Sequence, residues 1–102
     1  MDFKKVAVGI FILPIHCFNM KYSYPAIITV DKDDPTFLNV DFPDVVGGVT
    51  FGKGLDDALY MAGDLLKLMI SSAPDQVYKP TSWEELVKKY DPKDIYIIEV
   101  EV

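Results

Sequence analysis

The stretch FLNVDFPDVVGGVTFGKGLDDALYMAGDLLKLM, residues 37–69, decides the fold. In its first part Leu38, Val40 and Phe42 fall on one face of an extended segment, with Asn39 and Asp41 on the other. This period of two is the signature of a strand with one wet face. Pro43-Asp44 ends it. Gly47-Gly48 marks a bulge or a close backbone approach. Val49, Thr50 and Phe51 make a short further strand, which Gly52-Lys53-Gly54 breaks. The period then changes: Leu55, Ala58, Leu59, Ala62, Leu65, Leu66 and Met69 lie on one helical stripe. Asp56 and Asp57 sit in the first turn, where the helix dipole favours anions. The pattern predicts a helix from Leu55 to about Ser71, with its Leu59–Leu66 stripe against a sheet.

Upstream, Tyr22, Tyr24, Ala26, Ile28 and Val30 alternate with Ser23, Pro25, Ile27 and Thr29, which reads as another strand. Pro25 lacks a ladder donor and is expected near the strand start or on an open edge. Asp31-Lys32-Asp33-Asp34-Pro35 is a turn built from residues that bond their own backbone or fix φ. Downstream, Ser82-Trp83-Glu84-Glu85 matches a capping box opening a short helix to about Tyr90, stopped by Asp91-Pro92. Ile95 to Val102 is a closing strand, with Tyr96, Ile98, Val100 and Val102 opposite Glu99 and Glu101. The order β-β-β-α-(short α)-β predicts an α+β domain: one sheet with a helix on one face.

The 102 residues, half of them hydrophobic, suit one compact domain. Ten lysines and no arginine face sixteen acids, for a net charge of −6. Arginine is the residue that forks onto phosphate and reads guanine edges. An acidic chain without it is repelled by a phosphate backbone, so direct nucleic-acid binding is not expected. A basic protein partner is attracted instead, although acidity also serves solubility alone. One cysteine cannot form an internal disulfide, and nothing points to an oxidising compartment; a cytoplasmic setting is expected.

Residues 1–19 stand apart. Lys4 and Lys5 precede an apolar run from Val6 to Phe18 that is too short to span a bilayer, which takes about 20 residues. It lacks the small residues of a signal cleavage site, and Pro14 and His16 are wrong for a lipoprotein site at Cys17. We read residues 1–19 as an extension ahead of a domain spanning 20–102, with Met20 as the expected native start, and as dispensable for folding. If the Val6–Leu13 run is structural, its Val and Ile content favours a strand.

Catalytic constellations are thin. The single His16 and Cys17 are adjacent, so their side chains diverge in an extended chain. The Asp31 turn fails as a calcium loop, because Thr36 and Phe42 stand where Gly and Glu are required. Asp31, Asp41 and Glu99 are candidate metal carboxylates for a nuclease, but such acids more often only keep a strand face wet. The glycines at 47–54 match neither dinucleotide nor Walker spacing. Trp83, a residue type that often anchors interfaces, serves equally to pack the short helix on the sheet. No cofactor is expected.

Taken in order, these residues resemble the HicB antitoxins. That family opens with Tyr-Pro-Ala and an aliphatic strand, matched by Tyr24-Pro25-Ala26-Ile27-Ile28. It continues through an acidic turn to Phe-Pro-Asp, here Phe42-Pro43-Asp44, then Thr-x-Gly and Leu-x-x-Ala, here Thr50-Phe51-Gly52 and Leu55-Asp56-Asp57-Ala58. Pro80-Thr81-Ser82-Trp83-Glu84-Glu85-Leu86 and Ile97-Ile98-Glu99-Val100-Glu101-Val102 resemble its closing part. Val46 departs from the family's usual proline, and Lys53-Gly54 from its capping Thr or Ser. The resemblance covers Met20 to Val102. It implies a partial ribonuclease-H-like sheet without a catalytic set, and binding to a small basic HicA-type mRNA-cleaving toxin whose active site is covered. It is to a short form without the DNA-binding domain that many members carry.

Three functions follow as expectations. The first is a toxin-neutralising binder, not an enzyme, whose exposed Asp33, Asp34, Asp41 and Asp44, with Phe42 and Pro43 between the last two, meet the toxin. The second is an orphan domain that self-associates through its unpaired edges as a homodimer or higher homo-oligomer. The third is a metal-dependent nuclease using Asp31, Asp41 and Glu99.

Overall fold

The computed structural model describes residues 6–8 and 20–102. The chain order is β1 (Val6–Val8), β2 (Lys21–Val30), β3 (Phe37–Asp41), β4 (Val49–Lys53), α1 (Leu55–Ser72), α2 (Trp83–Lys89) and β5 (Ile95–Glu101), with 3-10 turns at Pro74–Gln76 and Pro92–Asp94. The strands form one sheet in the order β1-β5-β2-β3-β4. All its pairings are antiparallel except that of β1, which runs parallel to β5 with Val6 opposite Ile97. The α+β class and the order of the elements from Met20 onward are those that the alternation and helical stripe predict. Val6–Val8 is a strand, the form favoured by the Val- and Ile-rich run. The remainder of residues 1–19, with His16 and Cys17, lies outside the described residues.

The core lies between the sheet and α1. Tyr24, Ala26 and Ile28 of β2, Val40 of β3, Ile98 and Val100 of β5, and Phe42 just beyond β3 meet Ala58, Ala62 and Leu66 of α1. Leu59, Leu65 and Met69 flank that seam, half-buried, as the stripe predicts. The helix comes close to β4 because Gly52 has no side chain: a Cβ there falls on the backbone of Asp57 and Ala58. Gly52 and Lys53 therefore belong to the strand rather than break it. Gly54 caps the helix at φ 85°, a conformation favouring glycine.

The opposite face of the sheet is covered at one end. Leu86 of α2 packs with Ile27 and Ile95, and Tyr90 lies against them. Ile27, read from alternation as an outward residue, is therefore buried, because β2 is central and covered on both faces. Conversely Val30, on the inward phase, is 57% exposed at the end of its strand. Ser82 accepts the Glu85 amide at 3.4 Å, the predicted cap of α2.

The position of Pro25 has a register explanation. Met20 and Val102 exchange backbone hydrogen bonds, and the Asp31 amide donates to Phe37 O. By alternation, even residues of β2 bond β5 and odd residues face β3. Strand β3 ends at Asp41, opposite Ile27. The missing N–H of Pro25 thus points past the end of β3, where no ladder bond is required.

Candidate functional site

The turn after β2 is held by its own acids. The Asp31 carboxylate accepts the amides of Asp33 and Asp34, each at 3.0 Å, and the Asn39 side-chain amide at 3.0 Å. The Asn39 donor, with the Asp34 and Asp33 amides, holds the Asp31 carboxyl below the usual carboxylate range. Asp34 accepts the Thr36 amide at 3.1 Å and its hydroxyl at 2.7 Å. These two carboxylates build the turn as well as charging it, while Asp33 is exposed on its surface.

The six residues expected to meet a partner are not all on the surface. Asp33 and Asp34 flank the turn before β3, whereas Asp41 ends that strand. At about 3.3 Å per residue, Phe37 and Asp41 alone are about 13 Å apart. Asp41 and Pro43 are exposed, but Phe42 is core. Asp44, expected to be exposed, is 8% exposed. Its carboxylate accepts the Thr81 amide at 2.9 Å and the Thr81 hydroxyl at 2.5 Å. Its carbonyl accepts the Tyr78 amide, and the Val46 amide donates to Gln76 O. Asp44 therefore fastens the Phe42–Gly48 loop to the segment leading into α2. Burial first, then the charge of Asp44 and the neighbouring Tyr22, raise the Tyr24 phenol above its ordinary range.

The three candidate metal carboxylates share the outer face but do not converge. Asp41 pairs with Ile27 and Glu99 with Ser23, while Asp31 lies four residues from Ile27 in the other direction. Each step is about 13 Å along the sheet. Among the described residues no group of three potential ligands is placed to hold a metal, and no helix is long and apolar enough to cross a membrane.

The outer face carries a feature that the charge pattern does not reveal. Registers place Val49 opposite Asp41, Phe51 opposite Asn39, and Lys53 opposite Phe37. Val49 is 62% and Phe51 56% exposed, and Phe51 meets Phe37 edge to face with ring centroids 5.7 Å apart. An apolar group thus lies open on β3 and β4, beside the part that α2 covers. Alternation already puts Phe37 and Phe51 on the face away from the core. What the sequence cannot supply is that no described element covers them. Trp83 is 46% exposed, and Leu86, not Trp83, seats α2 on the sheet.

The fold and surface are those of a small α+β sheet domain with an acidic, partly apolar open face. No protein-family model matches the chain, and no curated protein matches it. Among solved structures, the chain is similar in fold to one in a "Toxin-Antitoxin complex from Streptococcus pneumoniae". The identity is 24% over 81% of this chain and 69% of that chain, with a TM-score of 0.57.

Proposed function

We propose that this protein is an antitoxin of the HicB kind, which binds a small basic HicA-type mRNA-cleaving toxin and covers its active site. The observation that carries the reading is the fold likeness to a chain from a toxin–antitoxin complex over most of this sequence. The ordered motifs from Tyr24-Pro25-Ala26 to the Glu99–Val102 strand point the same way, and on this reading the sheet is the partial ribonuclease-H-like sheet of that family. Acidity without arginine suits a partner that must itself attract RNA phosphate. The domain then acts by binding and not by catalysis.

Co-expression with the product of the adjacent gene tests this. The proposal expects a small basic protein to co-purify in a defined ratio and its mRNA cleavage to stop. A soluble neighbour that does not associate at low ionic strength overturns it. Calorimetry with Mn²⁺ or Mg²⁺ at millimolar concentration addresses the nuclease reading, which requires binding lost in Asp41→Asn. Spacings of about 13 Å between the three acids argue against that reading.

A further inference from the structure

We propose that the open β3–β4 half of the outer sheet face receives the basic partner, with Phe51 as its apolar anchor. This rests on the toxin-binding reading above and adds where the contact is made and by what chemistry. Among the described residues the layer over this face is half-built: α2 covers Ile27 and Ile95, while Val49 and Phe51 stay open. Scattered exposed apolar residues are ordinary. An aromatic pair with a valine beside it, on one sheet face, forms a contiguous patch of the kind that partners cover.

The charges around the patch select the occupant. Odd-numbered side chains of β3 and β4 share this face, so Asp41 lies beside Val49 and the Asp31 carboxylate, bonded to Asn39, borders the same strands. Lys53 is the cation of the patch, opposite Phe37. The complementary surface is apolar at its centre and carries lysine or arginine at positions facing Asp41 and Asp31. A nucleic acid brings phosphate against these carboxylates. A second copy brings another chain of net charge −6, setting acid against acid.

The backbone also favours docking on the face over strand addition at the β4 edge. Phe42 N donates to Gly48 O and Gly54 N to Thr36 O, so even residues of β4 bond β3 and odd residues face outward. Of these outward amides, that of Lys53 already donates to the Asp57 carboxylate at 2.9 Å, and that of Val49 to Gly47 O at 2.9 Å. A partner strand therefore finds only the Phe51 amide between two occupied ones. With two of the three outward donors taken, a new ladder is weakened and side chains are left to carry most of the contact.

The test is calorimetric titration of the full chain with the small basic protein encoded beside it, at low and at physiological ionic strength. Phe51→Ala is expected to weaken binding about tenfold or more, as for a central aromatic anchor. Asp41→Lys is expected to weaken it more at low ionic strength, and Tyr60→Ala, on the exposed side of α1, to leave it unchanged. Wild-type binding with an unchanged Kd for a folded Phe51→Ala overturns the placement and leaves the toxin-binding reading standing. Absence of wild-type binding overturns both. A homo-oligomer that Phe51→Ala dissociates, with partner affinity unchanged, assigns the face to a second copy and also overturns the placement.

Discussion

Asp44 and Thr81, 37 residues apart in sequence, are joined by two hydrogen bonds that both end on the Asp44 carboxylate. One comes from the backbone and one from the hydroxyl. They turn an acid that looks like part of a charged surface into a clasp between the loop after β3 and the approach to α2. Asp44→Ala is expected to destabilise the fold by about 1.5–3 kcal/mol, the range for hydrogen bonds to a charged group. Chemical denaturation measures it. Asp44→Asn also removes a charge near Tyr24, so the Tyr24 phenol, whose pKa is raised first by burial and then by Asp44, should titrate at lower pH in an ultraviolet tyrosinate titration. An unchanged Tyr24 midpoint and unchanged stability would show that the clasp contributes nothing.

Leu66 is fully buried at the centre of the α1 seam. Leu66→Ala is expected to cost about 2–5 kcal/mol, from lost transfer free energy and the cavity left behind. A loss near 0.5 kcal/mol or less, typical of surface substitutions, contradicts the packing of α1 on the sheet.

Gly52 tests the same contact from the other side. An alanine methyl there meets the Asp57 and Ala58 backbone, which cannot rotate away as a flexible side chain does. Gly52→Ala should therefore shift α1 or β4 and lower stability by about 1–3 kcal/mol. A Gly48→Ala methyl instead meets the Val45 and Phe42 Cβ atoms and the Val45 carbonyl; it strains the loop after β3 and should leave the α1 contact in place, as amide exchange along α1 would report.

Asn39 supplies the first of the interactions that lower the Asp31 pKa from its ordinary 3.8. Because the folded value lies below the unfolded one, this contribution to stability is present above the unfolded pKa and is lost as pH falls through the folded value. Asn39→Ala should move the Asp31 midpoint upward in a carboxyl NMR titration. A midpoint that stays put would show that the backbone amides of Asp33 and Asp34 suffice.

Much of the fold is legible in the sequence because local periodicity and burial coincide. The stripe from Ala58 to Met69 lies on the core, although Leu55 at its start is exposed; Leu38, Val40 and Phe42 point inward, and Ser82 caps α2. What escapes such reading depends on contacts between distant segments. Ile27 looks outward until Leu86 arrives over it. Asp44 looks solvated until Thr81 folds back on it. The site shows the same division. Asp41 is legible as an exposed acid, whereas Phe42 fills the core and Asp44 holds a loop, which the exposed-acid pattern does not reveal. Phe37 and Phe51 draw notice only once β4 is seen beside β3, with α2 covering the other half of the face.

Toxin neutralisation is read out by mRNA cleavage by the small basic protein of the adjacent gene, measured as this chain is titrated in. Cleavage should fall to background at a fixed stoichiometry, and Phe51→Ala should require a higher concentration to reach the same point. Cleavage that continues unchanged at a large molar excess of the folded wild-type chain would contradict neutralisation.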